Sequence, residues 1–135
     1  MPIDQSQKLL RELEEKARLY AQKSTKMSNQ LEEAEQFLQA MPGKMLIAVV
    51  GNRHWDKLEF CRKSDEWRLF YGTEAEGAWV TEASVDIKAK AARLLPELVI
   101  KLLKTQTENL TAVEKGLEAL SAIPFLKGSG QGGEK

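Results

Sequence analysis

The chain has one cysteine, Cys61, which excludes an intramolecular disulfide and any multi-cysteine metal site. Its one histidine, His54, stands seven positions away, no recognisable ligand spacing, so no metal is expected. Charge of one sign is not in excess: 20 basic residues balance 20 acidic ones. Broad binding to nucleic acid or an acidic membrane rests on clustered Lys and Arg that neutralise phosphates, and this balance argues against both. The longest strongly apolar run, Met45 to Val50, falls far short of the ~20 residues of a membrane span. The opening Met1-Pro2-Ile3-Asp4-Gln5-Ser6 has no basic stretch followed by an apolar one, so no secretory signal is expected. With a lone thiol, the expected setting is reducing and cytoplasmic. Gly51 stands alone after an apolar run and completes neither GxxxxGK[ST] nor GxGxxG. No cofactor is therefore expected, and no catalytic motif is present.

Proline and glycine are also missing from Ile3 to Met41, and there the clearest signal lies. Ile3, Ser6, Leu10, Leu13, Ala17, Tyr20, Ser24, Met27, Leu31, Ala34, Leu38 and Met41 follow one another at alternating steps of three and four. That heptad predicts a long amphipathic helix with a coiled-coil seam. Asp4 or Ser6 can cap its start, and Pro42-Gly43 ends it. Glu12 with Lys16 and Glu14 with Arg18 sit four apart in the favourable order, each pair contributing ~0.3 kcal/mol on a solvated face. A helix over 4–41 would be a rod of ~57 Å, longer than a compact domain of this size is wide. It must project, bend or lie along an equally long neighbour. Leu10, Leu13, Tyr20, Met27, Leu31 and Leu38 are the candidate interface, although Ser6, Ala17, Ser24 and Ala34 thin the apolar contact.

Residues 44–83 read as a three- to four-stranded antiparallel meander. Met45 to Val50, apolar on both faces, suits a central strand. In Lys57 to Lys63, Leu58 and Phe60 oppose Lys57, Glu59, Cys61 and Lys63; in Glu66 to Tyr71, Trp67, Leu69 and Tyr71 oppose Glu66, Arg68 and Phe70. With Ser64-Asp65 between them, the two segments predict a β-hairpin. Ala78 to Ala83 supplies a fourth strand. Trp55, Trp67 and Trp79 crowd this region and are expected in its core.

Helical patterning returns over 84–122, where Val85, Ile87, Ala91, Leu94, Leu95, Leu98, Leu102 and Leu103 give a broad apolar surface. Pro96 either starts a new helix or kinks a continuous one. A narrower stripe follows through Leu110, Val113, Leu117 and Leu120, and Thr111 with Glu114 matches a capping box, which makes a break near Asn109 a further alternative. Residues 128–135 are a tail by composition.

The resulting fold class is α+β: a long first helix, the meander, and a long kinked or broken last helix packed on one sheet face and against the first, with residues 1–127 as one domain. Similar helix lengths allow an antiparallel pairing within the chain, or each seam meeting its copy in a second subunit.

Asn52, Arg53, His54, Trp55 and Asp56 place an imidazole, a guanidinium, a carboxylate and an indole in one loop after a strand, a candidate small-molecule site. His54 is a general base by type, with Asp56 or Glu59 to orient it, but neighbours in sequence rarely provide catalytic geometry unaided. Cys61 reads as a half-buried strand residue. Arg53, Lys57, Arg62, Lys63 and Arg68 would form a nucleic-acid platform only if Glu59, Asp65 and Glu66 did not cancel their field. The leading expectation is a non-enzymatic interaction or adaptor module that pairs with itself through helical seams. A small-ligand protein using Asn52–Asp56 comes second and a nucleic-acid factor third.

Overall fold

The structure is a computed structural model that describes residues 3–42, 47–51, 56–63, 65–72 and 77–124. Helix α1 (Ile3–Gln39) is followed by strands β1 (Ala48–Gly51), β2 (Lys57–Lys63), β3 (Glu66–Gly72) and β4 (Gly77–Trp79), then a 3₁₀ turn (Val80–Glu82) and helix α2 (Val85–Leu120). The strands form one antiparallel sheet in the order β1-β2-β3-β4, so the class is α+β. The chain divides into two units, Met1–Leu98 and Val99–Lys135, and α2 runs from one into the other.

The sheet's register follows from its alternation. One cross-strand row joins Ala48, Phe60 and Leu69, and the next joins Val50, Leu58, Tyr71 and Ala78. Leu58, Phe60, Leu69 and Tyr71 are buried on this face, as are Leu31 and Leu38 of α1, Val80, and Ala91 and Leu98 of α2. Burying each larger aliphatic or aromatic side chain contributes about 1.5–3 kcal/mol, and this cluster is the core of the first unit. The helices meet here too, where the Lys88 ammonium donates to Ser28 Oγ at 3.2 Å.

The β2–β3 hairpin forms as its pattern predicts. Lys63 pairs with Glu66, leaving two residues for the turn. Asp65 takes φ 72°, which its short polar side chain tolerates better than most. Arg62 closes over the turn, 3.1 Å from the Asp65 carboxylate.

Two expectations need correction, and one open alternative is decided. β1 is an edge strand, not a central one, because a meander whose strands pair in sequence order puts its first strand outermost. Ala48 and Val50 are buried, Val49 between them is half-buried, and Ile47 is 68 % exposed. The fourth strand stops at Trp79, and Val80 turns into the 3₁₀ segment to bury its side chain completely. Of the two alternatives at Pro96 the continuous helix is the one formed, and α2 runs unbroken through Asn109 as well. Pro96 is exposed, so the carbonyl it leaves unbonded can face water, and helix formers on both sides carry the helix through. Thr107 Oγ1 donates to the carbonyl of Leu103 at 2.8 Å, a bond made within a continuing helix.

Candidate functional site

On α1 the heptad stripe changes character partway along. Leu31 and Leu38 are in the core, and Ser24, Met27 and Ala34 are half-buried. From Gln7 to Lys23 every residue is exposed. Leu10, Leu13 and Tyr20 stand 64, 63 and 60 % exposed on the same stripe. Of the six residues expected at an interface, three are therefore open, Met27 is partly covered, and Leu31 and Leu38 are occupied by the chain's own core.

The buried end of α1 is fixed by polar bonds as well as packing. β4 ends opposite Phe70, so among the described residues the outer edge of β3 beyond that point has no strand beside it. α1 takes its place. The Leu69 amide donates to Glu35 Oε2 at 2.7 Å, and Gln39 Nε2 donates to the Trp67 carbonyl at 2.6 Å. Glu35 and Gln39 are one helical turn apart, and Trp67 and Leu69 two strand residues apart, so the two spacings match closely enough for both bonds. An open strand edge is thereby satisfied without exposing it to pairing.

Burial raises the Glu35 carboxyl above the ordinary carboxylate range, against the opposing pull of the Leu69 amide and the Arg68 guanidinium. Arg68 is itself held by Thr81 Oγ1 and Glu82 Oε2, each 2.9 Å away. It also lies 4.9 Å over the Trp79 ring, with its Nε 4.0 Å from Glu35. This cluster ties α1, β3 and the 3₁₀ turn together. Its signal in the sequence was an acidic residue flanking an apolar stripe, which periodicity alone reads as solvent-facing.

In the second unit, Leu103, Leu110, Val113, Leu117 and Leu120 of α2 continue at heptad spacing and are each half or more exposed. Every residue from Thr107 to Leu120 is exposed. An open groove along this stretch is lined by Leu103, Gln106, Leu110 and Val113.

The loop singled out by sequence falls mostly outside the described residues: Asn52, Arg53, His54 and Trp55 are not described. Asp56 is described and exposed, and its Oδ1 accepts a hydrogen bond from the Tyr71 hydroxyl. Burial, then the bond to Asp56, pushes the Tyr71 phenol up to about 12. Gly51, immediately before the loop, has φ +104° and lies so close to the Asp56 carbonyl that an added Cβ would sit 2.0 Å from its oxygen.

Cys61 is half-buried on the sheet face opposite the core, across the ladder from Arg68. Of the basic residues considered for a nucleic-acid platform, Arg62 meets Asp65 and Arg68 meets Glu82. Trp67 and Trp79 are both half-buried, on opposite faces: Trp67 packs against Phe60 with ring centroids 5.5 Å apart, and Trp79 meets Phe70 edge-on at 5.2 Å. Among the described residues no group of three or more His, Cys, Asp or Glu is arranged to hold a metal ion, and no helix is long and apolar enough to cross a membrane. Comparison with known proteins finds no matching family model, no matching curated protein and no matching solved structure.

Proposed function

We propose that the protein is a non-enzymatic, cytoplasmic interaction module that associates with a second copy of itself through its helical seams. The observation that carries this reading is the exposure of Leu10, Leu13 and Tyr20 along one stripe of a helix whose other end is anchored in the core. Contiguous apolar surface on a soluble domain marks an interaction site. Covering each such side chain contributes roughly 1.5–3 kcal/mol at full burial. Because Leu31, Leu38, Glu35 and Gln39 already hold α1 in place, association need not form the helix anew, which lowers its entropic cost. The second heptad stripe, on α2, supports the same reading.

Sedimentation velocity over a wide concentration range tests it. A reversible dimer is expected for the intact chain, and a folded monomer for the Leu10→Lys, Leu13→Lys double variant. An intact chain that stays monomeric at every concentration would sink the proposal. No observation among the described residues favours the small-ligand reading at Asn52–Asp56 over this one.

A further inference from the structure

We propose that two copies pair antiparallel through the first half of α1, about a two-fold axis that passes between Arg11 and Glu12. This rests on the self-association proposed above and adds its orientation and register.

The heptad stripe decides the orientation once the fold has used part of it. Leu13 and Leu31 are 18 residues apart, about five turns at 3.6 residues per turn, and so lie on the same face of the helix. Tyr20 and Leu38 bear the same relation. At Leu31 and Leu38 that face is packed into the core, with α1 against β3 and the 3₁₀ turn. A parallel partner in register along Leu10 and Leu13 would run on into the space this sheet fills. An antiparallel partner must also end before Ser24, where covering begins.

One antiparallel register meets that condition and still covers the open stripe. Layers of such a coil pair an a position with a d position of the other helix. With the axis between Arg11 and Glu12, Leu10 faces Leu13, Ser6 faces Ala17, and the partner's helix begins opposite Tyr20. It begins there because α1 starts at Ile3. Large side chains then meet large ones and small meet small. The flanking pairs are Leu9 with Lys16 and Gln7 with Glu14, with no like charges opposed.

Sliding the partner one heptad further along sets Lys16 against Lys16 and Glu14 against Glu14, and drives its helix past Ser24 into the body. Sliding one heptad back leaves Tyr20 uncovered. Ser6 and Ala17, two of the positions that weaken α1 as a zipper, therefore become matched small layers in this register.

Spin labels at Lys8→Cys and, separately, Gln22→Cys in a Cys61→Ser background test the geometry by double electron–electron resonance. Both positions face away from the seam. About this axis the two Lys8 sites are offset by ~10 Å along the helices and the two Gln22 sites by ~32 Å, at about 1.5 Å per residue. A distance clearly longer at Gln22 than at Lys8 is the expected result. Equal distances would mean a parallel pair or an antiparallel one slid a heptad further along, and a longer one at Lys8 would mean another axis again; each overturns the proposal.

Amine cross-linking of a mixed-isotope sample of the unaltered chain gives an independent reading if Cys61→Ser fails to fold. Links between Lys8 and Lys16 of different copies are expected. A link between the Lys23 residues of the two copies, sites ~35 Å apart in this register, would refute it. A dimer by sedimentation with either contrary result removes the register and leaves self-association standing, whereas a monomer at all concentrations removes both.

Discussion

The amide of Leu69 donates to the carboxylate of Glu35 over 2.7 Å, and so a helix side chain occupies the place where a strand would have paired. β4 is three residues long and stops opposite Phe70, one residue short of Leu69. Without Glu35 this amide would be left without its acceptor in a buried setting, and α1 would lose one of the bonds that fix its course along β3.

Replacing Glu35 separates acceptor from charge. Glu35→Ala removes the acceptor and is expected to cost ~1–3 kcal/mol in urea unfolding, the cost of an unsatisfied buried amide. Glu35→Gln keeps an oxygen for Leu69 and removes a carboxylate whose ionised form burial disfavours. Because the folded-state pKa is raised, the folded protein holds the proton more tightly than the unfolded chain. The stabilising contribution is complete below the ordinary value of 4.5 and is lost as pH rises through the raised folded value. The stability difference between wild type and Glu35→Gln should therefore shift in favour of the variant between acid and neutral pH. A difference that is flat across that range would count against this account.

Tyr71 gives the corresponding effect at high pH. Its phenol is pushed up to about 12, so the stability tied to it is complete below the ordinary value near 10 and is lost as pH rises through about 12. Absorbance titration of the folded protein should show one of its two tyrosines ionising only in that upper range, and this late component should vanish in Tyr71→Phe. The variant should cost only ~0.5–1.5 kcal/mol, the net contribution of one hydrogen bond, because Asp56 is exposed and water can replace its partner.

Equivalent positions on the α1 stripe should respond differently to the same truncation. Leu31 is 2 % exposed, so Leu31→Ala is expected to destabilise the fold by ~2–5 kcal/mol, the range for a leucine lost from a core. Leu13→Ala should leave the folding stability of the monomer within ~0.5 kcal/mol while weakening self-association. Denaturation at low protein concentration measures the first effect and sedimentation the second. Equal destabilisation at both sites would contradict the division of the stripe.

Gly77 should resist substitution although it is exposed. An added Cβ would sit 2.3 Å from the Phe70 ring and 2.9 Å from the Tyr71 carbonyl oxygen. Since that oxygen belongs to the β3 backbone, it cannot swing aside as a side-chain tip would. Gly77→Ala is expected to cost ~1–3 kcal/mol by overpacking, with a change in near-ultraviolet circular dichroism from the Phe70–Trp79 contact. An unchanged spectrum and midpoint would show that the edge strand shifts freely.

Much of the fold was legible in the sequence because it depends on local rules. The three-four spacing from Ile3 onward requires a helix, and the absence of Pro and Gly lets it run to Gln39. The alternation around Leu58, Phe60, Leu69 and Tyr71 sets the buried face of the hairpin, and a two-residue turn fixes its register. Neighbouring residues decide these features through backbone geometry, and no distant contact is needed. Of the candidate loop, only Asp56 lies among the described residues, bonded to Tyr71, a phenol fifteen residues away that periodicity assigned simply to a sheet face.

What the tertiary structure decided was how identical local signals are used. By sequence, Leu13 and Leu31 are equivalent heptad leucines, and the pattern alone carries no information about which of them meets the sheet. That depends on where β4 ends, because its short length opens the β3 edge that Glu35 and Gln39 then occupy. Val50 likewise lies in a run that reads as a central strand, but the strand order places it on an edge strand. The sequence by itself determined the elements and their apolar faces, since propensity and periodicity act over a few residues. Only long-range packing, in which residues far apart compete for the same limited core, settled which part of each face is buried and which is left exposed.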